Sequence, residues 1–224
     1  MFTGIIEAVG TISTLTDLGD NYRIVVNSGK MDMQDVHLGD SIATSGVCLT
    51  VVDKGADYYA ADVSAETIKL TGFAYYSQGQ SVNLEKAMRA DSRFGGHIVS
   101  GHVDGVGIVE LINEHSNYVE IWVKAPNDLA KYIAHKGSIT VDGVSLTVNE
   151  VKGSSFMLWL IPHTLSETVI GHYKTGTQVN LEVDVIARYL ERLLLGENAA
   201  DRNAKTDTKT DISMTFLAEH GYLK

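Results

Sequence analysis

The segment DSIATSGVCLTV, at residues 40–51, returns as GSITVDGVSLTV at residues 137–148, so the chain matches itself 97 positions later. The N-terminal MFTGIIEAVGTI, residues 1–12, matches IVSGHVDGVGIV, residues 98–109, at the same offset. Two further pairs keep this register: VSAETI (63–68) with LIPHTL (160–165), and GQSVNLE (79–85) with GTQVNLE (176–182). A constant offset over so much of the chain indicates an internal duplication, in which each half is one structural unit.

Each half has the pattern of a small antiparallel β-barrel. Short runs rich in Val, Ile, Thr and Tyr, such as YRIVVNS and YVEIWVKA, end at turn residues, and the chain has 21 glycines but only 2 prolines. About six strands and one short helix fit into each half, and closing the strands into a barrel leaves no exposed sheet edge. We therefore predict an all-β fold of two similar tandem six-stranded barrels, at residues 1–96 and 97–184.

Beyond the repeat, VIARYLERLLL predicts a C-terminal helix at residues 185–196. Its apolar residues fall on one side: Ile186, Tyr189, Leu190, Leu193 and Leu194. An apolar stripe outside both barrels needs a partner, either the chain's own barrel or other subunits. Residues 197–224 are rich in polar residues and are predicted to be a linker with a short tail.

Composition argues against several classes of partner. The chain has a net charge of −10 and a pI near 5.2, so it would repel nucleic acid and anionic lipid. No local cluster of Lys and Arg offsets this charge. Cys48 is the only cysteine, which excludes an internal disulfide framework and fits a reducing compartment. The N-terminus shows neither a signal peptide nor a membrane span, so we expect a cytoplasmic protein.

The repeated segments also carry a family resemblance. Over residues 1–190, the order and spacing of MFTGI, GVCLTV, GGHIVSGHVDG, GVSLTVN, LIPHT and VNLEVD resemble the riboflavin synthases. The resemblance implies Greek-key barrels that each hold one 6,7-dimethyl-8-ribityllumazine, and a helix that helps to form a homotrimer. It also implies active sites between the N-terminal barrel of one subunit and the C-terminal barrel of its neighbour.

The activity implied is that of a transferase. Two lumazine molecules would exchange a four-carbon unit and give riboflavin and 5-amino-6-(D-ribitylamino)uracil, the last step of riboflavin biosynthesis, with no cofactor and no metal ion. Two similar pockets suit a reaction whose two substrates are identical, and holding both in contact can contribute roughly 7–11 kcal/mol. Association with lumazine synthase is a further expectation of this resemblance.

Donor and acceptor must differ although the substrates do not, so positions where the halves diverge are informative. Five pairs stand out: Cys48 and Ser145, Ile5 and His102, Glu66 and His163, Ala87 and Asp184, and Asp62 and Trp159. The resemblance assigns catalysis to Cys48, His102, Ser41 and Asp184. A thiol can add to or polarise a ring carbon, and an imidazole can transfer protons near neutral pH.

Structural roles are the alternatives for these four residues: Cys48 as a small buried apolar residue, His102 as a hydrogen-bonded barrel histidine, Ser41 as a turn hydroxyl and Asp184 as a helix N-cap. The resemblance also implies that the substrate is bound by a larger set of residues. These are Gly4, Ile5, Ile6, Cys48, Leu49, Thr50, Asp62, Val63, Ser64, Ala65, Glu66, Thr67, Gly101, His102, Val103, Lys136, Ser145, Leu146, Thr147, Leu160, Ile161, Pro162, His163, Thr164 and Leu165.

The sequence leaves three other functions to consider. A metal site built from His97, His102 and Cys48 is disfavoured because no HExxH or CxxC pattern is present. A cysteine hydrolase using Cys48 and His102 would leave the duplication unexplained. The strongest alternative is a non-catalytic fluorescent antenna protein that binds lumazine or flavin. The chain retains all the polar residues assigned to the two pockets, which argues against this alternative.

Overall fold

The first half of the chain folds into a closed six-stranded barrel. The computed structural model describes residues 1–19, 21–196 and 199. The strands are β1 (Ala8–Asp17), β2 (Asn21–Asn27), β3 (Ser41–Thr44), β4 (Val47–Lys54), β5 (Tyr58–Ser64) and β6 (Ser81–Lys86), with helix α1 (Ala65–Leu70) between the last two. They follow the order β1-β2-β5-β4-β3-β6, with β6 pairing back onto β1.

The second half repeats this barrel. Its strands are β7 (Gly105–Glu114), β8 (Val119–Lys124), β9 (Ser138–Val141), β10 (Val144–Lys152), β11 (Ser155–Leu160) and β12 (Gln178–Val183), with α2 (Pro162–Glu167) before β12. The order β10-β11-β8-β7-β12-β9 is the same as in the first barrel, and every strand pair is antiparallel. The predicted fold of two tandem six-stranded barrels with Greek-key order is confirmed.

Apolar side chains fill both barrels. In β4 the burial alternates, with Val47, Leu49 and Val51 directed inward, whereas Thr50 is exposed and Cys48 half-buried. The inner side chains of each barrel form one cluster. Ligand-binding groups must therefore lie on the outer faces and at the strand edges.

The two barrels meet across an approximate two-fold axis. The β3–β4 turn packs on the β9–β10 turn so closely that a Cβ atom at Gly46 would lie 2.8 Å from the Gly143 nitrogen. The Asn83 amide donates to the Asp142 carbonyl at 2.9 Å, and its repeat partner Asn180 donates to the Ser45 carbonyl at 2.8 Å. These reciprocal bonds satisfy buried backbone groups of both turns and fix the barrels against each other.

The C-terminal helix α3 (Val185–Leu195) belongs to a second unit, which begins at Ile186. Its apolar residues are largely exposed, with Tyr189 at 67%, Leu193 at 75% and Leu194 at 87%. The predicted linker and tail at residues 197–224 lie outside the described residues, apart from residue 199. In the described part of the chain, every helix is too short or too polar to cross a membrane.

Candidate functional site

A gap between β4 and β5 forms a slot in the first barrel. The β4–β5 ladder ends with the pair Val51 and Ala61. Beyond this pair the two strands are no longer bonded to each other: β4 remains paired with β3 on its other side, and β5 with β2. The Val51 N–H donates to the Asp40 carbonyl at 2.9 Å, on the β3 side. Backbone polar groups alternate in direction along an antiparallel strand, so those of Cys48 and Thr50 face the gap. We call residues 48–50 and 62–64 the N-terminal slot.

The second barrel has the same gap between β10 and β11. The ladder ends at Val148 and Leu158, and the Val148 N–H donates to the Gly137 carbonyl at 2.9 Å on the β9 side. Ser145 and Thr147 therefore direct their backbone groups into the gap. We call residues 145–147 and 159–161 the C-terminal slot.

One wall of each slot comes from a segment that precedes the opposite barrel. Phe2 and Val99 pair through two backbone hydrogen bonds, of 2.8 and 3.2 Å, and hold these segments against each other. After Val99, the Gly101 carbonyl accepts the Cys48 N–H at 2.9 Å. In the same way, the Gly4 carbonyl accepts the Ser145 N–H at 2.8 Å. Residues 101–103 thus border the N-terminal slot, and residues 4–6 border the C-terminal slot.

Three of the four predicted catalytic residues surround the N-terminal slot. Ser41 lies opposite Thr50 in the β3–β4 ladder and Ala43 opposite Cys48, so Ser41 and Cys48 share the outer face as diagonal neighbours. His102 follows Gly101, which touches Cys48, and it is exposed. A cleft of about 240 Å³ adjoins Ser41 and is also lined by charged side chains: Asp35, Asp40, Lys86 and Arg89.

The fourth, Asp184, follows β12 on the second barrel. Its carboxylate acts on His97, whose pKa is lowered by burial and partly restored by the charge of Asp184. His97 Nδ1 lies 2.7 Å from the Ser145 hydroxyl oxygen, in a pair that sequence reasoning did not identify. The repeat alignment pairs residue 1 with residue 98, so it does not include His97 and could not point to this contact. Within one chain, Asp184 therefore belongs with the C-terminal slot.

The rims of the two slots differ in chemistry. Asp62, on β5, forms a two-pronged ion pair with Arg23 at 2.8 Å, and hydrogen bonding to Arg23 lowers the pKa of Asp62. At the equivalent position Trp159 packs on Tyr118, with the ring centres 5.5 Å apart. The Trp159 backbone N–H donates to Asn149 Oδ1 at 2.8 Å. The N-terminal slot therefore has a charged rim and the C-terminal slot an aromatic rim.

Of the remaining predicted binding residues, Leu49, Val63 and Leu160 are buried in the barrel cores, so their side chains cannot contact a ligand in the slots. Others lie at the ends of the slots. Ser64 caps α1 by accepting the Thr67 N–H at 3.1 Å, whereas α2 starts at Pro162 with no side-chain cap. Glu66 and His163 are exposed in the first turns of these helices. Lys136 is exposed in the turn before β9, with φ of 64°, and its N–H donates to the Val148 carbonyl at 2.8 Å.

The arrangement suits a flat ligand with alternating donors and acceptors. A ring whose edge carries adjacent carbonyl and N–H groups can replace the missing strand partner in either slot, in the way that a peptide adds to a sheet edge. The side chains of Ser41, Cys48 and Thr50 share the outer face of the sheet beside the N-terminal slot. Ser145 and Thr147 occupy the corresponding positions beside the C-terminal slot.

Comparisons with known proteins agree with this geometry. The lumazine binding domain model matches residues 3–87 and again 100–184. Riboflavin synthase from Photobacterium phosphoreum is 52% identical over 223 residues, covering 100% of both chains. Riboflavin synthase from Bacillus subtilis (strain 168) is 44% identical, covering 99% of this chain and 100% of its own.

Solved structures of LumP are also similar. LumP complexed with 6,7-dimethyl-8-(1'-D-ribityl) lumazine has a TM-score of 0.74 and 27% identity, covering 82% of this chain and 99% of its own. LumP complexed with riboflavin has a TM-score of 0.76 at the same identity and coverage. From the matches in both repeats and the full-length relatives, the chain belongs to the lumazine-binding domain family and, within it, to the riboflavin synthases.

Proposed function

We propose that the chain converts two molecules of 6,7-dimethyl-8-ribityllumazine into riboflavin and 5-amino-6-(D-ribitylamino)uracil by transfer of a four-carbon unit. The observation that carries this proposal is the pair of equivalent slots, one in each repeat, with the polar residues of both retained. Two slots of common origin suit two identical substrates. The atoms of two lumazine molecules equal those of the two products, so the overall reaction requires no oxidant, reductant or separate group donor.

Each lumazine would bind with its pyrimidine edge in a slot. The backbone of Thr50 and the neighbouring residues of β5 offer donors and acceptors to the first molecule, and the backbone of Thr147 does so for the second. The ribityl hydroxyls of the first molecule would extend toward Ser41 and the charged cleft beside it. Carboxylate and ammonium groups in that cleft can pair with both the donor and the acceptor functions of a polyol.

The differing side chains would give the two molecules different roles. At the N-terminal slot, Cys48 and Ser41 lie where a thiol or hydroxyl can polarise or add to the ring, and His102 can carry protons. At the C-terminal slot, the Ser145 hydroxyl contacts His97, whose pKa is lowered by burial. The proton taken from the 7-methyl group of one lumazine and those returned to the products would pass through groups of this kind.

Catalysis would require the slots of two subunits to face each other. Asp184, on the second barrel, would then act at the N-terminal slot of a neighbour as an orienting carboxylate. A homotrimer provides this contact, and the exposed apolar side chains of α3 support association between chains.

A cytoplasmic location and association with lumazine synthase belong to the same proposal. Sedimentation as a monomer at working concentration would contradict the shared site.

The alternative is a non-catalytic binding protein, because LumP binds lumazine and riboflavin and has a similar structure. Incubation of the purified protein with 6,7-dimethyl-8-ribityllumazine and EDTA under nitrogen distinguishes the two functions. An enzyme gives riboflavin and the pyrimidine in equal amounts over many turnovers. Tight binding without either product would overturn the proposed function.

A further inference from the structure

Two buried glutamates hold the segments that cross between the barrels. Glu85 and Glu182 end the two VNLE motifs and are only 5% and 4% exposed. The Glu85 carboxylate accepts the N–H groups of Thr3 at 2.7 Å and Gly4 at 3.0 Å, and the Thr3 hydroxyl at 2.9 Å. The Glu182 carboxylate accepts the N–H groups of Ser100 at 2.7 Å and Gly101 at 3.0 Å.

Burial of these carboxylates has an energetic cost, which their hydrogen bonds to backbone N–H groups partly offset. Desolvation raises the pKa of both, that of Glu182 to about 7, and the backbone N–H groups offset part of this effect. A converging set of N–H groups binds a full negative charge more strongly than a neutral acceptor. Each glutamate therefore fixes the path of two or three residues that would otherwise be a flexible loop.

The two held segments serve the opposite slots. The segment on Glu85, from the first barrel, places the Gly4 carbonyl on the Ser145 N–H of the C-terminal slot. The segment on Glu182, from the second barrel, places the Gly101 carbonyl on the Cys48 N–H of the N-terminal slot. Gly101 packs so closely that an added Cβ would lie 2.7 Å from the Cys48 Cβ.

We propose that each glutamate is a positioning residue for the slot of the other barrel: Glu182 sets the wall of the N-terminal slot that carries His102, and Glu85 sets the wall of the C-terminal slot. The barrels are then coupled in a crossed manner, because the last strand of one determines the shape of the substrate site on the other. The role in substrate binding rests on the proposed function, whereas the crossed positioning does not.

Cys48 provides a direct test, since it is the only thiol in the chain and lies under Gly101. The rate of its reaction with 5,5'-dithiobis(2-nitrobenzoate) is measured without ligand for the wild type, Glu182→Gln and Glu85→Gln, above pH 8, where Glu182 is ionised. Loss of the charge-assisted hydrogen bonds in Glu182→Gln should raise the rate roughly tenfold. Glu85→Gln is the matched control and should keep the wild-type rate, because it releases the other slot.

Circular dichroism checks that both variants fold. An unchanged rate in folded Glu182→Gln would overturn the proposal, and so would an equal rise in both variants, which indicates general loosening. Should Glu182→Gln not fold, Glu182→Asp keeps the charge but shortens the side chain, and it should still give a rate above that of the wild type. A wild-type rate in Glu182→Asp would then overturn the proposal.

Protection by riboflavin extends the test to ligand binding. Riboflavin bound in the N-terminal slot should shield Cys48 from the reagent in the wild type and in Glu85→Gln at similar concentrations. Glu182→Gln should need roughly tenfold more riboflavin for the same protection. A change in labelling with no protection in any variant would support the crossed positioning and contradict the proposed binding site. Equal protection in all three proteins would overturn the role of Glu182 at this slot.

Discussion

Asp142 is a buried carboxylate whose replacement should stabilise the protein. It lies in the β9–β10 turn at the contact between the barrels, is only 4% exposed, and accepts the Asn180 N–H at 2.8 Å and the Tyr173 hydroxyl. Burial raises the pKa of Asp142 to about 6, whereas an aspartate in an unfolded chain titrates near 3.9. Each pKa unit corresponds to about 1.4 kcal/mol, so the ionised form costs about 3 kcal/mol of stability at neutral pH.

The raised pKa of Asp142 also fixes the direction in which the unfolding free energy changes with pH. Between about pH 4 and pH 6 the folded protein retains a proton on Asp142 that the unfolded chain has released. The unfolding free energy therefore falls as the pH rises through this window. Asp142→Asn removes the charge, keeps an oxygen for the Asn180 N–H, and suits the left-handed backbone at φ of 45°. Its amide NH2 replaces the oxygen that accepts the Tyr173 hydroxyl and can donate to the hydroxyl oxygen. The variant should be more stable by up to about 3 kcal/mol near pH 7.5 and nearly equal near pH 4.

Urea unfolding of the wild type and Asp142→Asn near both pH values measures this difference as a shift in midpoint at constant slope. Asp57→Asn, at an exposed carboxylate in the β4–β5 turn, is the matched control and should show no such gain. A variant less stable than the wild type near pH 7.5 would show that the ionised Asp142 does not destabilise the fold. A gain of the same size at both pH values would also contradict the prediction, because the gain would then not arise from the charge.

Three further substitutions test the site and its support. Phe2→Ala removes a fully buried ring beside the bridge to Val99, so it should lower the unfolding free energy by about 3–5 kcal/mol in urea and reduce turnover. Gly46→Ala forces a side chain into a left-handed position 2.8 Å from the Gly143 nitrogen, and should cost more than about 1 kcal/mol in the same assay. His102→Gln should keep riboflavin affinity near that of the wild type but slow turnover by roughly 100-fold or more, and unchanged turnover would remove His102 from proton transfer.

The sequence predicts the architecture well because the relevant signals are local and repeated. Strand alternation, glycine turns and the constant offset predict the two six-stranded barrels, and the apolar periodicity of VIARYLERLLL predicts the C-terminal helix. Comparison of the halves also identified the difference between Asp62 and Trp159, which the structure shows as a charged and an aromatic rim. These features depend on residues that are close in sequence or related by the duplication.

What the sequence did not reveal depends on contacts between distant segments. In β6, alternation suggests that Asn83 and Glu85 face solvent, yet both are buried, because the second barrel covers one and the N-terminal segment covers the other. The contact between His97 and Ser145 has no counterpart in the aligned repeats, so comparing the halves does not predict it. Likewise, the gap in each ladder is a missing pairing, which composition and periodicity do not encode.

Isotope labelling tests directly whether a four-carbon unit passes between two bound substrates. The protein is given equal amounts of unlabelled lumazine and lumazine carrying ¹³C in both methyl groups and the two ring carbons that bear them, and the riboflavin formed is analysed by mass spectrometry. Transfer between two molecules mixes the labels at random, so half of the riboflavin should carry label in only one of its two four-carbon units. Riboflavin that is either wholly labelled or wholly unlabelled, or no riboflavin at all, would contradict this transfer.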